Sequence, residues 1–134
     1  MATDNKLDKP ASSNGAGNYG PIFAALRSIL KTYEGKLAIK TDKPGNCYLE
    51  TRSASMNGRR LLFAAAKTKK NYVSFYLTPL YMFPDLALSV SPTLKKHLQG
   101  QSCFNFTVME QECFDELGRL AAAGFERFGS QSLL

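Results

Sequence analysis

The sequence predicts an α+β two-layer sandwich, in which a five-stranded antiparallel sheet has the N-terminal and C-terminal helices packed on one face. The apolar period is helical near both ends of the chain and changes to the alternation of strands in the middle. Helices segregated from a run of strands are typical of this class. The length of 134 residues allows one domain, predicted at 21–130, after a flexible tail at 1–20 that has few large apolar side chains.

The two long helices are predicted from their apolar stripes and end signals. The first begins at Pro21, because proline is favoured at the first helical position, and it ends before Gly35. Its stripe consists of Ile22, Leu26, Ile29, Leu30 and Tyr33. The last helix follows Thr107 and Glu110, whose spacing matches a capping box. Its stripe consists of Phe114, Leu117, Ala121, Phe125 and Phe128.

Strands are predicted where side chains alternate between turn sequences. The predicted strands are 36–41, 47–54, 59–66, 72–78 and 101–106. Asn57-Gly58 is a dipeptide favoured in tight hairpin turns. Ser91, Pro92 and Gly100 predict a short helix before the fifth strand, as its N-cap, its first residue and the residue after its end.

Alternate residues of a strand point to opposite faces of a sheet, so the sequence predicts which side chains share a face. The face under the helices is expected to hold Phe63, Val73, Phe75, Leu77, Phe104 and Phe106. The other face is expected to hold Tyr48, Glu50, Arg52, Tyr72, Ser74, Tyr76, Cys103 and Asn105. Because this second face is aromatic and polar rather than apolar, we interpret it as a solvated surface or a binding surface.

The residue types that carry catalysis and metal binding are sparse. His97 is the only histidine, which excludes a metal site built on two histidines, and the cysteine spacing matches no zinc knuckle. We therefore predict no metal, no cofactor and no catalytic residue. A thiol enzyme with Cys103 as nucleophile and His97 as base stays open as an alternative. The glycines at 15–20 match G-x-G-x-x-G, but no strand precedes them, so we predict no dinucleotide site.

The acidic residues of the last helix are interpreted as a solvated face rather than as catalytic carboxylates. They are Glu110, Glu112, Asp115, Glu116 and Glu126.

Charge is distributed unevenly along the chain, whose formal net charge is +6. Residues 37–100 hold ten basic residues against three acidic ones, which favours anionic partners for this part of the protein. The predicted ligand-binding residues on the uncovered face and its edge are Tyr72, Tyr76, Asn105, Lys70, Lys95 and Cys103. The predicted partner is an anionic small molecule or a protein, and weak binding of single-stranded nucleic acid is an alternative.

The location of the protein is predicted from what the sequence lacks. Residues 1–20 contain no apolar run of the kind that a secretory signal has. The longest uncharged stretch, 71–84, is too short and too polar for a membrane helix. Three cysteines in a domain of this size suggest reduced thiols rather than a disulfide framework. We expect a cytoplasmic protein without membrane contact, either a monomer or a dimer.

Two stretches of the chain resemble the YdhG-like family, a bacterial family of unknown function. The first is 70–81, with the sequence KNYVSFYLTPLY, and the second combines Leu94-Lys95-Lys96 with 100–106, GQSCFNF. The resemblance covers residues 21–128. It implies a frataxin-like α+β sandwich, in agreement with the order of elements predicted from the residues.

The resemblance also implies a possible role as an intracellular iron chaperone, because some relatives are described in that way. Such proteins gather the cation with carboxylates on the first helix and first strand, since hard cations prefer oxygen ligands. Here the stretch 21–43 carries only Glu34 and Asp42 against five basic residues. We therefore carry over the fold of the family and keep the iron chaperone as an alternative function.

Overall fold

The structure is a computed structural model, and it describes residues 19–54 and 57–134. The elements in chain order are α1 (Gly20–Lys31), β1 (Ala38–Lys43), β2 (Asn46–Glu50), β3 (Leu62–Thr68), β4 (Val73–Leu77), α2 (Thr78–Met82), α3 (Pro84–Leu88), α4 (Pro92–Lys95), β5 (Leu98–Gln99), β6 (Cys103–Phe106) and α5 (Gln111–Ser130). The predicted tail at 1–20 and the glycine motif at 15–20 lie outside the described residues, except for Tyr19 and Gly20.

The sheet has six strands in the order β1-β2-β3-β4-β6-β5, and every neighbouring pair is antiparallel. The predicted α+β class is confirmed, but the predicted count of five strands is wrong by one. The additional strand is β5, whose two residues pair with β6 at the edge of the sheet. It occupies part of the predicted short helix, because α4 ends at Lys95 and Gly100 turns the chain between β5 and β6 with a φ of +73°.

Both long helices cover the same face of the sheet, as predicted. Helix α1 buries Ile22, Leu26 and Leu30 against the strands. Helix α5 reaches the same layer through aromatic contacts: the ring of Phe114 lies 4.9 Å from that of Phe106, and the ring of Phe128 lies 5.6 Å from that of Phe63. All six side chains predicted for the covered face are fully buried. The short helices α2, α3 and α4 each contact α5, so the described helices all belong to the layer on this face.

The structure confirms the predicted N-cap of α4 but not the predicted capping box of α5. Ser91 is the N-cap of α4, and its hydroxyl oxygen accepts a hydrogen bond of 3.2 Å from the Leu94 amide. The capping box of Thr107 and Glu110 is not formed. Glu110 is itself the N-cap of α5 without a side-chain capping bond, because its carboxylate instead lies 2.9 Å from Nε2 of His97.

Two predicted strand ends require correction, and so does the interpretation of Glu116 as a solvated residue. Strand β2 ends at Glu50, and Arg52 lies beyond it, where its guanidinium donates to the carbonyl of Gly35 rather than facing out from the sheet. Strand β3 begins at Leu62, later than predicted. Glu116 is not simply solvated, since its two carboxylate oxygens accept hydrogen bonds of 2.8 and 2.6 Å from the amide and hydroxyl of Ser91.

Two irregularities in the strand pairing change which side chains share a face. Between β1 and β2 the pairing passes from Ile39–Leu49 to Thr41–Tyr48, which leaves Lys40 as an extra residue. A β-bulge of this kind turns neighbouring side chains toward the same side of the sheet. Lys40 and Thr41 consequently both border the uncovered face.

The second bulge lies between β2 and β3. Leu49 pairs with Ala64 and Glu50 pairs with Leu62, so Phe63 is the extra residue. Phe63 and Ala64 are both fully buried, and Phe63 contacts aromatic rings of the helical layer. Strict alternation from Phe63 would instead have buried Ala65 under the helices, whereas the bulge leaves Ala65 on the uncovered face.

No helix among residues 19–54 and 57–134 combines the length and the apolar character that crossing a bilayer requires.

Candidate functional site

A shallow hollow of about 290 Å³ lies on the uncovered face of the sheet. Its lining residues are Lys40, Thr41, Asn46, Tyr48, Leu62, Ala65, Lys67, Lys69 and Tyr76. They come from β1, β2, β3 and β4 and from the turn that follows β3. We call this feature the basic hollow.

The floor of the basic hollow follows from one row of paired residues across the sheet. Tyr48 pairs with Ala65, and Ala65 pairs with Tyr76, so the three side chains lie side by side on the same face. The methyl group of Ala65 is much smaller than the two flanking phenol rings. A small side chain between two large ones leaves a depression, and the tyrosine rings form its walls.

Three lysines give the basic hollow its charge. The Nζ atom of Lys40 lies over the ring of Tyr48, 5.1 Å from the ring centroid. Lys67 and Lys69 line the same hollow from β3 and from the following turn. No carboxylate of the described residues lies within 4.0 Å of any of these three amines. The lysines therefore create a local positive potential that no ion pair in this part of the chain neutralises.

Local structure explains how each lysine reaches the hollow. Lys40 is the extra residue of the first bulge, and bulges re-aim side chains in this way beside binding sites. Lys67 pairs with Asn46 on one side and with Ser74 on the other, which places it on the uncovered face. The amide of Lys69 donates to the carbonyl of Tyr72 at 2.7 Å, and this bond closes the β3–β4 turn.

Of the six residues predicted to bind a ligand, Tyr76 lines the basic hollow. Cys103 pairs with Tyr76 across the sheet, and Asn105 lies two residues further along the same strand. The side-chain oxygen of Asn105 accepts a hydrogen bond of 2.6 Å from the Ser74 hydroxyl and contacts Sγ of Cys103 at 3.5 Å. Asn105 and Cys103 thus border a polar cluster one strand away from the lysines.

The other three predicted residues do not line the basic hollow. Tyr72 is half-buried and directly precedes β4. Lys70 is exposed in the β3–β4 turn, and Lys95 is exposed at the last residue of α4. The structure therefore brings Tyr76 together with lysines other than the predicted pair.

Lys40, Lys67 and Lys69 were not among the predicted site residues. The sequence did contain a signal for two of them, because Lys67 and Lys69 lie between the predicted strands 59–66 and 72–78, in the basic part of the chain. For Lys40 the sequence contains no such signal. Its position depends on a bulge, which arises from the pairing of two strands rather than from a residue pattern.

Cys103 and His97 do not form a catalytic pair. Both ring nitrogens of His97 have other partners: Nδ1 lies 3.0 Å from the Asn105 carbonyl oxygen, and Nε2 lies 2.9 Å from the Glu110 carboxylate. The His97 ring packs on Phe106, a side chain of the covered face, whereas Cys103 belongs to the opposite face. Burial raises the pKa of the Cys103 thiol, and contacts with Ser74 and Tyr76 lower it only in part.

We expect Cys103 to react slowly with iodoacetamide at pH 7, because its raised pKa keeps the sulfur protonated and the thiolate is the nucleophile. The rate should rise only at a pH above that at which an ordinary, exposed cysteine thiol ionises, because burial raises the pKa of Cys103. Mass spectrometry of the alkylated Cys103 peptide across pH measures this, with glutathione as the reference thiol. A Cys103 apparent pKa near 7 would revive the thiol-enzyme alternative.

The two carboxylates considered for the iron-chaperone alternative are already paired. The guanidinium of Arg27 lies 3.3 Å from Glu34 and 2.7 Å from Asp42. Its hydrogen bond lowers the pKa of the Asp42 carboxyl, so Asp42 is ionised and held by a cation of the same chain. An iron ion at this position would have to displace Arg27.

Comparison of the chain with models of protein families, with curated proteins and with solved structures finds no match.

Proposed function

We propose that this protein is a cytoplasmic, non-enzymatic module that binds a small anionic ligand in the basic hollow. The observation that carries the proposal is the convergence of Lys40, Lys67 and Lys69 around two tyrosine rings, with no carboxylate of the described residues to neutralise them. Solvated lysines that merely protect a sheet edge would not need to surround a depression on the sheet face.

The lining of the basic hollow favours a ligand with both a charged group and a planar or apolar group. Lysine ammonium groups bind phosphate or carboxylate as point charges. The rings of Tyr48 and Tyr76, together with Leu62 and Ala65, offer apolar and aromatic surface for the remainder of the ligand.

The size of the hollow supports a small ligand over the nucleic-acid alternative. A volume of about 290 Å³ is near the lower end of small-molecule sites. Binding of a single strand uses a basic groove with successive stacking platforms, whereas the hollow gathers three lysines and two tyrosines at one place. The iron-chaperone alternative has less support, since the carboxylates of Glu34 and Asp42 already form ion pairs with Arg27.

We also propose that the chain is related to the YdhG-like family, as the resemblance of its sequence implies. The order of elements in the chain, a long helix, four strands, short helices, further strands and a long helix, agrees with what that resemblance implies.

Calorimetric titration with adenosine monophosphate, inorganic phosphate and adenosine tests the proposal, because the three probes separate the charged group from the planar group. We expect the nucleotide to bind most tightly, with an affinity that falls as salt increases. Lys67→Ala and Lys69→Ala should each weaken its binding by about tenfold, the effect of losing one hydrogen bond to a charged group.

Lys95→Ala is the matched control, because Lys95 is an exposed lysine outside the basic hollow. Its affinity for the nucleotide should equal that of the unchanged protein. The proposal is wrong if neither anion binds at low salt, or if the double variant Lys67→Ala/Lys69→Ala binds the nucleotide as tightly as the unchanged protein.

A further inference from the structure

Three side chains of different chemistry meet at the edge of the sheet, away from the basic hollow. His97 lies just before β5, Glu110 directly precedes α5, and Cys113 belongs to the first turn of α5. Nε2 of His97 lies 2.9 Å from one carboxylate oxygen of Glu110, and Sγ of Cys113 lies 3.8 Å from the other. The three donor atoms all lie within 4.8 Å of one another.

The orientation of the His97 ring determines which of its two nitrogens carries a proton and which can bind a metal ion. Nδ1 faces the Asn105 carbonyl oxygen at 3.0 Å, and a carbonyl oxygen only accepts hydrogen bonds, so Nδ1 carries a proton. Packing on the Phe106 ring, at 4.6 Å between centroids, holds the imidazole in this orientation. A backbone carbonyl bonded to one nitrogen is the arrangement that orients metal-binding histidines.

A proton or a metal ion is required between His97 and Glu110. With Nδ1 protonated, Nε2 of a neutral imidazole presents a lone pair to a carboxylate oxygen 2.9 Å away, and that oxygen is also an acceptor. A proton on either group, or a metal ion, resolves this contact. The sulfur of Cys113 lies beside the same carboxylate and offers a third ligand to a metal ion.

We propose that Nε2 of His97, the carboxylate of Glu110 and Sγ of Cys113 form a binding site for a zinc-class divalent cation. One nitrogen, one oxygen and one sulfur ligand suit zinc better than hard cations such as magnesium or calcium. Zinc bonds of about 2.0–2.3 Å at tetrahedral angles separate neighbouring ligand atoms by about 3.3–3.6 Å. The three ligand atoms lie within 4.8 Å of one another, so side-chain adjustment alone can bring them to these separations.

With three protein ligands, a tetrahedral ion keeps its fourth position for water or another molecule. The side chains of His97 and Glu110 are 21% and 30% exposed, which gives an ion access from solvent, whereas Cys113 is buried. Three protein ligands with an open fourth position differ from the closed four-ligand sites that are purely structural. The site is independent of the basic hollow, which lies on the other face of the sheet.

Titration of the full chain with Co²⁺, followed by competition with Zn²⁺, tests this site. We expect micromolar or tighter binding, visible absorption typical of tetrahedral Co²⁺ and a thiolate-to-cobalt charge-transfer band that zinc abolishes. Cys113→Ser should remove the charge-transfer band. His97→Ala and Glu110→Gln should each lower the affinity by at least about tenfold.

Cys103→Ser is the matched control, since Cys103 is a partly exposed thiol on the opposite face, and it should keep both the band and the affinity. Circular dichroism establishes that each variant is folded. If the buried Cys113→Ser variant does not fold, His97→Ala and Glu110→Gln decide, because both side chains are partly exposed. Absence of binding at micromolar concentration, or unchanged affinity in these two variants, would mean that His97 and Glu110 form an ion pair only.

Discussion

Phe63→Ala is expected to lower the free energy of unfolding by about 3–5 kcal/mol, the largest effect that we predict for a single substitution. The Phe63 side chain is fully buried. Its ring centroid lies 5.3 Å from that of Tyr33, 5.8 Å from that of Phe125 and 5.6 Å from that of Phe128. Truncation would therefore leave a cavity at the point where the bulge of β3 meets α5 and the turn after α1.

Urea denaturation followed by circular dichroism measures this loss. Leu88→Ala is the control, because Leu88 is a large apolar residue that is 85% exposed, and its change should stay within about 0.5 kcal/mol. A Phe63→Ala variant as stable as Leu88→Ala would show that Phe63 does not lie between the sheet and the helices.

Gly124→Ala is expected to destabilise the protein by about 1–3 kcal/mol, although alanine favours helices over glycine by about 1 kcal/mol. Gly124 is buried in α5, where an added Cβ would lie 2.6 Å from both Cβ and Cγ of Pro79 in α2. The proline ring is rigid and cannot rotate away. The steric conflict therefore exceeds the gain in helix propensity, and the two helices must separate.

Gly118→Ala is the matched control in the same helix. An added Cβ at Gly118 would meet no atom within 4 Å, so this variant should gain up to about 1 kcal/mol of stability. The two substitutions are chemically identical and are expected to have opposite signs in thermal or urea denaturation. Stabilisation by Gly124→Ala would contradict the close packing of α5 on Pro79.

The covered face of the sheet was predictable from sequence because regular alternation and regular pairing coincide there. Phe75 and Phe104 are cross-strand partners in β4 and β6, and both are fully buried, as the alternation in each strand predicts. The two long helices were predictable for the same reason. Each presents a continuous apolar stripe, and a stripe of that kind is buried on whichever layer is available.

Features that depend on how two segments meet were not predictable from either segment. Lys40 reaches the basic hollow because β1 contains one residue more than β2 at that point. No local sequence pattern predicts this extra residue. Strand β5 forms from two residues because β6 offers them a partner. Glu110 matched a capping box in sequence, but His97 competes for its carboxylate in the fold.

The candidate site was accordingly predictable as a face rather than as a set of residues. Alternation places Tyr48 and Tyr76 on the uncovered side of the sheet, and the row through Ala65 brings them together. Which lysines accompany them depends on register and on the bulge. Lys70 and Lys95 were predicted from the sequence to supply charge at the edge of this face, whereas in the fold Lys67 and Lys69 are the lysines that line the hollow with Lys40.

The central claim, an anion-binding hollow on the uncovered face, is tested most directly by amide chemical-shift mapping during titration with adenosine monophosphate. Saturable shifts are expected for residues of β1 to β4 around Tyr48, Ala65 and Tyr76, and the outer faces of α1 and α5 should show none. Shifts confined to the two long helices, or no saturable shift at any amide, would contradict the claim.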